Sequence, residues 1–112
     1  MKILLTGIIL SILSTSSYAD LASYYGRGFH GKKTASGEVF NQYAMTAASN
    51  SHKMGTKLKV TNVATGKSVI VKINDTGAFT RKYGRTLDLS QGAFARIAPL
   101  SQGICKVKIE RL

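Results

Sequence analysis

KSVIVKINDTGAFT, residues Lys67 to Thr80, opens with strict alternation. Val69, Val71 and Ile73 fall on one face of a strand, and Ile70, Lys72 and Asn74 on the other, because successive strand side chains point to opposite faces. The pattern stops at Asn74-Asp75-Thr76-Gly77, a polar turn followed by Ala78 and Phe79. An apolar strand that ends in a carboxylate within an Asn/Asp/Gly turn sets an acid at the rim of a core. A rigid strand with a loop at its end is a common scaffold for an active site. Read on this stretch alone, Asp75 is more often a residue that shapes its own turn than a catalyst.

Outward from this strand the chain reads as more short strands. Lys57 to Val63 alternates with Leu58 and Val60 inward, and Ala64-Thr65-Gly66 is a hairpin connection into the central stretch. Leu21 to Tyr25, Tyr43 to Ala48, Thr86 to Leu89 and Gly103 to Arg111 supply the others. Ser90 is placed to cap a short helix, Gln91 to Ala98, which Pro99 stops; Phe94 and Ile97 form its buried side. About six short strands joined by local hairpins, one short helix and no long amphipathic helix predict a small all-β barrel with small α content.

The 112 residues suffice for one small domain. Residues 1–19 are expected to be a secretory signal peptide. Lys2 is its positive end, Ile3 to Leu13 is mostly apolar, and small residues at Ser17 and Ala19 place the cut after Ala19. The run is too short to span a membrane comfortably, so no transmembrane span is expected after cleavage. No Cys lies near the cut, so the chain is not expected to be a lipoprotein. Export to the periplasm or cell envelope, or secretion, follows. Residues 20–112 form the domain.

The net charge is +11. That excess attracts polyanions, and for an exported chain the anionic polymers of an envelope fit better than nucleic acid. The sequence holds no nucleic-acid recognition pattern, no metal-ligand spacing and no phosphate-binding glycine loop, so no cofactor is expected. Cys105 is the single cysteine, on one face with Val107 and Ile109, and reads as a small buried hydrophobe. His30 and His52 read as loop histidines.

Only five acids exist. Asp20 and Glu110 lie near the ends of the domain, which leaves Glu38, Asp75 and Asp88 for acid–base chemistry. Glu38 leaves the loop Phe29 to Gly37 and either reaches a cleft or pairs with Lys32 or Lys33 at the surface. Tyr24 and Tyr25, beside a glycine-rich loop, suit a flat carbohydrate-stacking surface, although Tyr is equally common as a half-buried strand residue.

These residues resemble the double-psi β-barrel domain of the rare lipoprotein A family of bacterial envelope proteins. The likeness rests on Ala22-Ser23-Tyr24-Tyr25-Gly26, Phe29-His30-Gly31, Thr34 to Phe40, Met45-Thr46-Ala47-Ala48, Gly55 to Asn62, Val69 to Gly77 and Arg85 to Ser90. The same barrel is shared more distantly with expansins, barwin-like proteins and some cellulases. The resemblance implies a six-stranded double-psi β-barrel with one short helix. It also implies a lytic transglycosylase acting on peptidoglycan glycan strands, with Asp75 as the essential acid and Glu38 and Asp88 at matching family positions. Tyr24, Tyr25, Asn74, Phe79, Arg85 and His52 are the expected substrate contacts. Ser49 stands where the family commonly has His, and Ala78 where it commonly has Pro. The chain ends with the barrel, so the glycan-binding repeat domain of many relatives is expected to be missing.

The expected mechanism has Asp75 protonate the glycosidic oxygen between muramic acid and glucosamine. It then takes the proton of the C6 hydroxyl as a 1,6-anhydro ring closes. Ile73 and Phe79, or Glu38 and Asp88, are expected to favour the protonated form, against the charges of Lys72, Arg81, Lys82 and Arg85. A non-catalytic, expansin-like glycan binder and a two-carboxylate hydrolase are the other readings.

Overall fold

The computed structural model describes residues 20–25, 29–76 and 85–112. The expected leader, residues 1–19, and Phe79, Arg81 and Lys82 lie outside the described residues; of Arg85 only the backbone is described.

Six strands form: β1 (Asp20–Tyr24), β2 (Thr46–Ala48), β3 (Lys57–Asn62), β4 (Ser68–Asp75), β5 (Arg85–Leu89) and β6 (Cys105–Arg111). One helix, α1 (Gln91–Ile97), and a 3-10 turn at Leu100–Gln102 lie between β5 and β6. The strands close into a barrel in the order β1-β5-β2-β4-β3-β6. The all-β, six-stranded barrel with one short helix is therefore as expected.

Its wiring is not. Among the described strands only β3 and β4 are neighbours both in sequence and in the barrel. β1 pairs with β5 and β2 with β4 in parallel, which requires crossovers rather than hairpins. Alternation within a strand says which face is buried but carries no information about which strand lies beside it.

Val69, Val71 and Ile73 of β4 point into the barrel with Leu58, Val60, Leu87, Leu89, Cys105 and Val107. Helix α1 adds Ala93, Phe94 and Ile97 to this core. A fully buried side chain such as Phe94 contributes about 2–3 kcal/mol from the apolar area it removes from water. Ser90 caps the helix, accepting from the Ala93 N–H at 3.1 Å, and its hydroxyl donates to the Ala44 carbonyl.

Several strand ends differ from expectation by one residue, and the starts of β2 and β6 by more. β2 is three residues rather than Tyr43 to Ala48. Asn41 folds the preceding chain into a turn, its side chain accepting from Tyr43 N–H at 2.9 Å and its carbonyl from Ala44 N–H at 3.1 Å. β6 begins at Cys105 rather than Gly103 because the 3-10 turn ends on Gly103 at φ +75°, a conformation glycine adopts without a Cβ clash.

Candidate active site

Simple alternation would carry Asp75 onto the core face with Val69, Val71 and Ile73. The pairing with β2 prevents this. Ala47 lies opposite Ile73, but Ala48 lies opposite Asp75, so Asn74 is an extra residue in β4. A slip of this kind re-aims the following side chain. Asp75 thus leaves the barrel core and sits beside a second, smaller apolar cluster of Tyr25, Phe40 and Ala48.

Among the described residues, three donors hold its carboxylate. Oδ1 accepts from the backbone N–H groups of Ala35 and Thr76, each at 2.9 Å. Oδ2 accepts from the Tyr25 hydroxyl at 2.7 Å. The Asp75 carbonyl takes the Ser49 N–H at 3.0 Å. The end of β1, the loop at 34–38, the end of β4 and the turn after β2 therefore meet at one residue.

Tyr25 is 9% exposed. Its ring lies against Phe40 with centroids 4.3 Å apart, and Phe29 meets it edge-on at 5.7 Å. Burial, then the hydrogen bond to Asp75 and the charges of Asp75 and Asp88, push its phenol far above the usual tyrosine range. It stays a neutral O–H donor. Tyr24 faces the other way, as neighbouring strand residues must. Its ring packs on Phe94 at 4.9 Å and its hydroxyl donates to the Leu100 carbonyl at 2.9 Å. The two tyrosines do not form the flat stacking surface expected of them.

Glu38 pairs with Lys72, not with Lys32 or Lys33. Its Oε2 lies 2.8 Å from Lys72 Nζ, and its Oε1 accepts from Asn74 Nδ2 at 3.0 Å. The cause is a tight loop. Thr34 N–H donates to the Glu38 carbonyl at 2.8 Å and Gly37 N–H to the Thr34 carbonyl at 2.9 Å, folding Glu38 back over the end of β4. Gly37, at φ +91°, supplies the left-handed conformation this needs. Lys72 first, then Asn74, hold the Glu38 carboxyl below its ordinary value. Asn74, expected to contact substrate, is 4% exposed and serves this loop instead.

Asp88 lies across Ala48 from Asp75. Ala48 pairs with Asp88 on β5 and with Asp75 on β4, which sets the two Cα atoms roughly 10 Å apart at ordinary strand spacing. Ser23 Oγ donates to Asp88 Oδ1 at 2.7 Å. Leu87 and Leu89 on either side are in the core, so Asp88 faces outward with Ser23 and Tyr25.

His52 sits in the turn after β2, where its N–H and that of Ser51 donate to Ser49 Oγ, each at 3.1 Å. Ser49 is 1% exposed and closes this turn with its hydroxyl. Ile73, expected to surround Asp75, is in the barrel core. Cys105 is buried there too, and burial pushes its thiol up, away from a reactive thiolate. Among the described residues no three His, Cys, Asp or Glu side chains gather to hold a metal.

The sequence reading missed Ser23, Ala35 and Phe40. Ser23 was findable, since it shares a strand face with Tyr25 two residues on. The Ala35 contact is through backbone N–H and leaves no trace in residue type. What the site offers chemically is a carboxylate fixed in orientation at the barrel rim.

A family profile described as "Lytic transglycolase" matches residues 17–109. The "Probable endolytic peptidoglycan transglycosylase RlpA" of Nostoc sp. is 50% identical over 98 residues, covering 86% of this chain and 26% of that protein. The "Endolytic peptidoglycan transglycosylase RlpA" of Rickettsia felis is 48% identical over 104 residues, covering 88% of this chain and 45% of the relative. That of Campylobacter jejuni is 44% identical over 101 residues, covering 89% and 36%. The chain spans between a quarter and a half of the length of these relatives. Among solved structures, apo Clavibacter michiganensis expansin superposes with a TM-score of 0.66 at 23% identity, over 84% of this chain and 49% of that one. The Streptomyces papain inhibitor gives 0.61 at 21% identity, over 84% and 94%. These two share the fold. With the profile match across nearly the whole barrel, the chain belongs to the lytic transglycolase family, and its six closed strands are that family's double-psi β-barrel.

Proposed function

We propose that this chain is an endolytic peptidoglycan transglycosylase. It cleaves glycan strands between muramic acid and glucosamine and leaves 1,6-anhydro-muramic ends. The observation that carries the reading is Asp75, held at three points on the outer rim of the barrel. Relatives named as endolytic peptidoglycan transglycosylases support it.

In the first step protonated Asp75 gives its proton to the glycosidic oxygen as the C1–O bond breaks. In the second, the Asp75 carboxylate takes the proton of the C6 hydroxyl while that oxygen bonds to C1. The acid is regenerated and no water enters. General acid–base help of this kind is worth about 100- to 10,000-fold. Asp75 alone takes the catalytic role. Glu38 anchors the loop whose Ala35 N–H holds Asp75, and Asp88 fixes the end of β1 through Ser23. His52, in the turn joined to Asp75 through Ser49, contacts the glycan strand. A leader at residues 1–19 delivers the protein to the periplasm or cell envelope, where its positive charge draws it to anionic envelope polymers. An expansin-like binder gripping through Tyr24 and Tyr25 has less support, because both rings are occupied in packing.

Digestion of peptide-stripped glycan strands in oxygen-18 water tests the reaction type. Soluble fragments with unlabelled 1,6-anhydro ends are expected. Labelled reducing ends would mean hydrolysis, and strands that pellet with the protein uncut would mean a binder.

A further inference from the structure

The transglycosylase reading requires one carboxyl to act first as acid and then as base, and the two oxygens of Asp75 are not equivalent for that task. An ionised carboxylate offers about four acceptor directions, two on each oxygen. Oδ1 accepts from Ala35 N–H and Thr76 N–H. Backbone N–H groups only donate, so a proton on Oδ1 would face a donor in either direction. Oδ2 accepts from one partner among the described residues, and that partner is a hydroxyl. A hydroxyl donates to a carboxylate and rotates to accept from a carboxylic acid, so it suits both states of the cycle.

We propose that Oδ2 of Asp75 carries the transferable proton, and that Tyr25 is the positioning residue that holds this oxygen through both halves of the reaction. The second acceptor direction of Oδ2 is the one that meets the glycosidic oxygen and then the C6 hydroxyl. The balance is simple: one proton leaves Oδ2 as the glycosidic bond breaks, and one returns to it as the ether bond forms. Tyr25 is neither consumed nor ionised. Its ring, wedged against Phe40 and met edge-on by Phe29, fixes where the hydroxyl stands. Its elevated phenol supports the same role, since a buried tyrosine that holds its proton does not compete for the one being moved.

The inference rests on the proposed function, and its test separates the two. Tyr25→Phe keeps the ring against Phe40 and removes only the hydroxyl. On peptide-stripped strands kcat is expected to fall about 10- to 100-fold, the size of a hydrogen bond to a charged group, with KM within about twofold. Placing 3-fluorotyrosine at position 25 restores the hydroxyl and is expected to restore turnover. Unchanged kcat in Tyr25→Phe, or a loss that 3-fluorotyrosine does not repair, overturns the proposal. A second arm needs no turnover. The Tyr25 hydroxyl proton is expected in NMR spectra as a slowly exchanging resonance shifted downfield by the carboxylate, and Asp75→Asn is expected to remove that shift. A rapidly exchanging hydroxyl, or a shift that Asp75→Asn leaves in place, overturns the pairing even if strands are cut. A resonance that behaves as expected in a protein that cuts nothing supports the pairing and tells against the transglycosylase reading.

Discussion

Lys72 Nζ and Glu38 Oε2 stand 2.8 Å apart, joining residues that are 34 positions distant in the chain. The same Glu38 accepts from Asn74, one residue before the central acid. Glu38 is thus a clamp between the loop at 34–38 and the end of β4, and this relationship has a pH signature. Lys72 and Asn74 lower the folded-state value of its carboxyl. A carboxyl lowered on folding adds stability above its unfolded value, about 4.5, and loses it as pH falls through the folded value. Glu38→Gln is expected to melt slightly below the parent at pH 7, with the gap closing as the pH is taken down below 4.5. Thermal melts by circular dichroism read the gap, which added salt should narrow because the pair is exposed. A gap that widens in acid would contradict the clamp.

Ser90→Ala removes the cap of α1 and the donor to the Ala44 carbonyl together. The expected loss is about 1–2 kcal/mol, roughly 5–15 °C in Tm for a domain of this size. Ser101→Ala, at an exposed site in the 3-10 turn, should move Tm little. Equal effects from the two would mean that the cap contributes nothing.

Gly92→Ala would raise stability in an ordinary exposed helix, since Gly costs about 1 kcal/mol against Ala there. Here a Cβ would sit 2.6 Å from the Tyr43 carbonyl oxygen and 2.9 Å from its carbon, both backbone atoms that cannot step aside. The sign is expected to reverse, with a loss of about 1–3 kcal/mol from overpacking. A higher Tm in Gly92→Ala would show that α1 does not pack so closely on the 41–44 turn.

What the sequence made legible follows from what side-chain pattern encodes. The faces of β3 and β4, the cap at Ser90, the buried side of α1 and the buried Cys105 are local, and each was readable from residue order. Asp75 was readable as an acid at a strand end. That it leaves the core face was not, because the extra residue at Asn74 exists only relative to Ala47 and Ala48 of a parallel neighbour. Of the two readings of Tyr24 and Tyr25, the half-buried strand residue holds, and alternation explains it: adjacent strand residues face opposite ways, so one ring goes to Phe94 and the other to Phe40. The Glu38 partner was not legible. Lys32 and Lys33 are near in sequence, and Lys33 even bridges Val39 through the backbone, but the Glu38 carboxylate turns to Lys72.

The central claim is that Asp75 is the single acid and base of a peptidoglycan transglycosylase. The most direct measurement incubates residues 20–112 and the Asp75→Asn variant with peptide-stripped glycan strands and follows soluble fragments by mass spectrometry. The account predicts 1,6-anhydro-muramic ends from the parent. It predicts at least a 100-fold loss in the folded variant, the lower end of acid–base catalysis. An Asp75→Asn protein that releases the same fragments at the parent's rate would contradict it.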